Sequence, residues 1–211
     1  MAEHIALLGD SIFDNGAYTN GAPDVVTHLR GIVPRSVRVS LLAIDGSTTA
    51  DLRQQLSALP ADASRVVLSI GGNDALSNAD ILNLPVESTY EALHLFAERT
   101  DVFEASYRAA ISDVVEAVPD TTLCTVYNGN LTEEQATVAR IALMMFNDVI
   151  LRTAFALRLP IIDLRLICTE PVDYANPIEP SAIGGKKIAR AIAAAFGIGT
   201  STSPSRVFVE C

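Results

Sequence analysis

Gly9-Asp10-Ser11 ends the apolar run Ile5-Ala6-Leu7-Leu8. A serine delivered to a turn by a buried strand presents a free hydroxyl, the raw material of a nucleophile. The same tripeptide also describes an ordinary strand-to-loop turn with a capping serine. Two further apolar runs end in comparable ways, at Asp45-Gly46-Ser47 and at Gly71-Gly72-Asn73-Asp74. If the three runs are parallel strands of one sheet, a hydroxyl, a glycine N–H and an asparagine amide converge on one edge. Acyl transfer needs such a set: an attacking oxygen, and fixed donors aimed at the charge that develops on the carbonyl oxygen. Asp10 is expected to bond backbone amides in its own turn. Gly71-Gly72 lacks the lysine and the spacing of a phosphate-binding loop.

The elements that must position these residues follow from the pattern of apolar runs. Strand-like runs cover 4–9, 36–44, 65–70, 121–127 and 160–164. Helical patterns cover 23–32, 48–59, 88–118 with a break expected near 100–101, 132–157 and 181–196. Thr132 and Gln135 have the spacing of a capping box. Strands alternating with helices imply a parallel sheet covered on both faces. The reading is one α/β domain over 1–198 with a C-terminal tail over 199–211. The tail ends in Val207-Phe208-Val209, an apolar segment that leaves a homo-oligomer open as an alternative.

Bulk composition narrows the function. The chain has 211 residues, 49% of them apolar, enough for a substantial core. A formal net charge of −10 argues against a nucleic-acid partner and against adsorption to anionic membrane, so neither partner is expected. Cys124, Cys168 and Cys211 form no disulfide framework and no metal pattern. They fit a reducing cytosol. The N-terminus lacks the basic segment and cleavage site of a signal peptide, and no apolar run is long enough to span a membrane. No cofactor or metal is indicated.

With these blocks in place, the chain resembles the SGNH hydrolases, or GDSL family, of esterases and acylhydrolases. Gly9-Asp10-Ser11 matches the family's first block, Gly46 its second and Gly71-Gly72-Asn73-Asp74 its third. The resemblance implies a flavodoxin-like three-layer sandwich with sheet order 2-1-3-4-5. It implies Ser11 as nucleophile, and the Ser11 N–H, the Gly46 N–H and the Asn73 side chain as oxyanion donors. It also places Asp10 and Asp74 among the site residues. The implied substrate is a small ester or acetylated compound.

The last block departs from the family. The pattern Asp-x-x-His, with glycine five residues after the histidine, has no histidine here. Counting back from Gly184 puts Glu179 in the histidine position and Asn176 in the aspartate position; a second register starts at Asp173. Three readings follow. Glu179 serves as base for Ser11, oriented by Asn176; or His94 supplies the imidazole; or the site binds a ligand without turnover. Arg165 is expected to meet a substrate carboxylate or Glu170, and Met144-Met145 to lie in the core.

Overall fold

The computed structural model describes residues 3–198; the tail of 199–211 lies outside the described residues. Five parallel strands form one sheet in the order β2-β1-β3-β4-β5. They are β1 (His4–Gly9), β2 (Arg38–Leu41), β3 (Arg65–Ser69), β4 (Thr121–Cys124) and β5 (Ile161–Ile162). The order is the one the resemblance implies. β1 lies between β2 and β3, and every residue in it is buried. Ile5 and Leu7 pack with one core, Ala6 and Leu8 with the other, as the two-residue period of a strand dictates.

Among the described residues five helices cover the two faces. Helices α1 (Val25–Ile32) and α6 (Ala182–Ala195) pack against each other over the Ile5 face. Helices α2 (Leu52–Ser57), α4 (Thr89–Ala117) and α5 (Glu133–Leu157) cover the Leu8 face. Helix α3 (Gly72–Ser77) and a 3-10 turn over Ala79–Asn83 sit at the carboxyl edge of β3.

Two local expectations change and a third holds. Helix α4 is continuous through 100–101, where the Thr100 hydroxyl donates back to the carbonyl of Phe96 (2.7 Å). Thr132 starts α5 without a capping box: its hydroxyl bonds the Gln135 side chain (2.9 Å) and caps no backbone N–H. Ser181 does cap α6, accepting from Ile183 and Gly184.

Candidate active site

The site begins with Gly9. Its φ is +127°, and a Cβ there would stand 1.8 Å from the carbonyl oxygen of Ser69. Only glycine lets β1 pass this close to β3 and still turn. The side-chain amide of Gln55 reads both polar groups of Gly9, accepting from its N–H (2.8 Å) and donating to its carbonyl (2.7 Å). That clamp leaves no trace in local spacing, since 46 residues separate the partners. Asp10 then bonds backward through its N–H to Ser69 (3.1 Å). Its carbonyl accepts from Phe13 and Asp14, and its carboxylate accepts from the N–H of Ile12 (3.1 Å). The expected backbone role of Asp10 is therefore present, and Ser11 is carried at the tip of the turn.

Glu179 reaches the same place from the other end of the chain. Asn15 is fully buried; its Nδ2 donates to the carbonyl of Pro180 (3.1 Å), and its Oδ1 accepts from Val25 (3.0 Å). It thus ties the loop after Ser11 to the residue after Glu179. Gly184 lies against Asp173, where a Cβ would come within 2.1 Å of the Asp173 carbonyl oxygen. This close packing explains why the register must be counted from Gly184. Lys187 and the backbone of Thr169 and Glu170 all bond the buried Asp173 carboxylate, and the Asp173 carbonyl accepts from Ser181.

Glu179 is 7% exposed. Burial raises the pKa of its carboxyl; a hydrogen bond from the Ser11 hydroxyl opposes the shift, and Asp45 adds to it. Its Oε2 is buried without a partner. Asp10, buried beside the Glu179 and Asp74 charges, is pushed up to about 8, chiefly by desolvation.

Asp10, Ser11, Asn73 and Glu179 line one cavity of about 170 Å³. Asn73 is not in a loop. Gly71, at φ +118°, lets α3 start at once, so Asn73 stands in its first turn. Its Nδ2 donates to the carbonyl of Ser47 (2.9 Å), which joins α3 to the turn that carries Gly46. Gly46 itself, at φ +80°, is exposed and does not line the cavity. Asp74 does not line it either. Its carboxylate accepts from the N–H and hydroxyl of Thr49 (3.1 and 2.7 Å), a bond that fixes α3 to the following turn. Asn176 is exposed, and its Oδ1 accepts from the N–H of Ile178 and of Glu179 (2.9 Å each). It fixes the backbone under Glu179 instead of orienting the carboxyl.

No histidine lines the cavity. His94 is exposed on α4, stacked on Tyr90 and 3.5 Å from Glu98. His4 is bonded to Asp62 and Ser40, and His28 to the carbonyl of Ala182. Arg165 is held by Asp163 (2.6 and 2.8 Å), not by Glu170. Burial pushes the Cys168 thiol up to about 12, which removes it as a thiolate.

The rest of the lining is mostly apolar, with Asn78, Arg99, Thr100 and Asn128 among it, a feature sequence motifs do not report. Ile81 and Leu82 from the 3-10 turn, Phe96 from α4, and Leu143 and Phe146 from α5 form its walls. Only their helical spacing on α4 and α5 signals a shared face.

A parallel sheet between two helix layers, with a serine at the carboxyl edge of β1, an asparagine beyond β3 and a buried carboxyl lining the same cavity, brings together the groups that acyl transfer uses. The model of the GDSL-like lipase/acylhydrolase family matches residues 7–184, and the chain belongs to that family of ester-bond hydrolases. Solved structures agree on the fold. An extracellular lipase from Streptomyces rimosus superposes with a TM-score of 0.68 at 17% identity, covering 92% of this chain and 100% of its own. A phospholipase A1 from Streptomyces albidoflavus gives 0.69 at 18% identity, covering 91% and 98%. A variant of an acetyl xylan esterase from Geobacillus stearothermophilus gives 0.64 at 21% identity, covering 95% and 97%. No curated relative matches the sequence. Among the described residues no helix is long and apolar enough to cross a membrane, and no cluster of side chains could hold a metal ion.

Proposed function

We propose that the protein hydrolyses esters with an apolar acyl group through a covalent Ser11 intermediate, with Glu179 as the general base. The observation that carries this is that Ser11 and the buried Glu179 line one mostly apolar cavity together with Asn73. As Ser11 Oγ bonds the ester carbonyl carbon, its proton passes to Glu179. The carbonyl electron pair moves onto oxygen, where the Ser11 N–H and the Asn73 side-chain amide, whose residues line the cavity, are the donors. Collapse breaks the bond to the alcohol oxygen, which takes the proton from Glu179. Water then attacks the acyl-enzyme, again giving its proton to Glu179, and the acid leaves with Ser11 restored.

The cavity favours an acyl chain over an acetyl group. Its volume of about 170 Å³ resembles that of an apolar protein cavity of ~150 Å³ able to hold a benzene ring. Each buried methylene contributes roughly 0.8 kcal/mol. Lengthening the acyl group from acetyl to hexanoyl is therefore expected to raise kcat/KM for p-nitrophenyl esters on the order of 10²-fold. Ser11→Ala is expected to abolish turnover of both. A flat or falling chain-length profile contradicts the acyl assignment. Equal, near-background rates in wild type and Ser11→Ala contradict catalysis and favour a ligand-binding role.

A further inference from the structure

The cavity holds one cation. Its charged lining residues are Asp10, Glu179 and Arg99, and Arg99 on α4 is the only basic one among the described residues. Arg165, the cation expected to meet a substrate carboxylate, is held by Asp163 and does not line the cavity. Met144, expected in the core, is 59% exposed and does not line it either. The helical period that turns Ala139, Ala142, Leu143 and Phe146 toward the cavity turns Met144 away from it. A guanidinium in a mostly apolar wall therefore stands apart from its neighbours, and its surroundings indicate its use.

Helix α3 sets the distance from the catalytic end. Asn73, Ala75, Leu76 and Asn78 all line the cavity, so α3 runs along it. At 1.5 Å per residue, Asn78 stands about 7 Å along the axis from Asn73. The Nδ2 of Asn78 donates to the carbonyl of Asp74 (2.8 Å), and its Oδ1 accepts from Nη1 of Arg99 (3.3 Å). Nη2 of Arg99 donates to Asp80 (3.1 Å), on the 3-10 turn that follows α3. These bonds use two of the five N–H groups of a guanidinium, so the fork is held in place with donors left over. Asp80 does not line the cavity. Arg99 thus touches an acid outside the cavity and the cavity itself. Its side chain is 43% exposed, and Leu76 and Leu82 beside it are exposed as well as lining. This end is open to water, so an anion arriving here keeps part of its hydration.

We infer that Arg99 selects esters whose acyl chain ends in a carboxylate, with the ester at Ser11 and the chain lying along α3. The inference rests on reading the cavity as an acyl site. An extended adipoyl or suberoyl chain has the reach that α3 sets. A planar guanidinium fork matches a carboxylate with two parallel N–H bonds, which a lysine or an amide does not do. The rest of the molecule works against such a substrate: the chain carries a net charge of −10, and Asp10 and Glu179 line the same cavity. A preference for an anionic chain therefore needs a local cation, and Arg99 is the one that the lining supplies. The competing role for Arg99 is a tie between α4 and the 3-10 turn. The two roles differ in what Asp80 does. If Arg99 reads the substrate, Asp80 competes for its guanidinium; if Arg99 is a tie, Asp80 is the other half of it.

Mono-p-nitrophenyl esters of adipic and suberic acid are compared with the same esters ending in a carboxamide, which keeps the shape and removes the charge. The readout is the ratio of kcat/KM, acid over amide, within each pair, so a general change in activity cancels. Wild type is expected to favour the acid on the order of tenfold in at least one pair. Asp80→Asn should raise that ratio. Arg99→Met should bring it below one, because the remaining carboxyls repel the acid. Wild type that hydrolyses the amide as fast as the acid in both pairs overturns the inference, as does a ratio that Arg99→Met leaves unchanged. A ratio that Asp80→Asn and Arg99→Met lower alike overturns it too and leaves the ion pair as a tie. The same compounds are titrated calorimetrically into Ser11→Ala protein with and without Arg99→Met. If wild type hydrolyses none of the esters, acid-selective binding that Arg99→Met abolishes keeps the Arg99 assignment while the catalytic reading falls. Binding without selectivity overturns the assignment.

Discussion

Replacing an imidazole by a carboxylate changes what Ser11 requires of its surroundings. A carboxylate in water is too weak a base for a serine hydroxyl, and burial is the available remedy. Glu179 has that burial, and its pKa lies above the ordinary 4.5. The ionised form is the active one, so activity is expected to be lost as pH falls through that raised value. Asp10 moves the same way for the same reason, from 3.8 to about 8. Between these two pH values the folded protein holds a proton that the unfolded chain has released, so this residue makes stability fall as pH rises through the window. Asp10→Asn keeps an acceptor for the Ile12 N–H and removes the titration. Its thermal midpoint should therefore drop less than that of wild type between pH 5 and pH 9. Parallel pH profiles for the two proteins would refute the assignment. The register that singles out Glu179 is legible in sequence because Gly184 has a steric reason to be glycine. The role of Asn176 is not legible: its spacing fits a side-chain partner, but the chain path spends its amide oxygen on two backbone N–H groups.

At the scale of elements, the strands were legible because the runs of β1, β3 and β4 are buried between two helix layers, apart from Arg65 at the start of β3. Their ends were also legible, through Gly9, Gly46 and Gly71, all with positive φ. What spacing could not report is contact between distant elements. Gln55 on α2 clamps Gly9 on β1, and Asn15 joins the first loop to the last. Gln55→Ala leaves the buried N–H of Gly9 without a partner, while its carbonyl keeps the bond from the Ile44 N–H (3.1 Å). The unpaired N–H costs about 1–3 kcal/mol. A urea denaturation curve should show the midpoint shifted down by a cost in that range, with the slope unchanged. A shift under about 0.5 kcal/mol, as for an ordinary surface substitution, would show that the clamp contributes little.

Across the whole molecule, two kinds of surface meet at Ser11. Buried carboxyls lie behind it, and an apolar cavity with an apolar outer rim lies in front. The net charge and the motif blocks were readable from composition and order. The cavity was not, because its walls come from helix segments whose apolar residues look like core residues until the sheet is seen to end beneath them. The central claim is that a glutamate, and no histidine, activates Ser11. The most direct measurement is the rate at which a fluorophosphonate labels Ser11, followed by intact-protein mass, in wild type and in Glu179→Gln at neutral pH. Phosphonylation has to take the proton from the same hydroxyl as ester attack. The account predicts a single label on Ser11 in wild type and a rate lower by on the order of 10²-fold or more in Glu179→Gln. Equal labelling rates in the two proteins would contradict it.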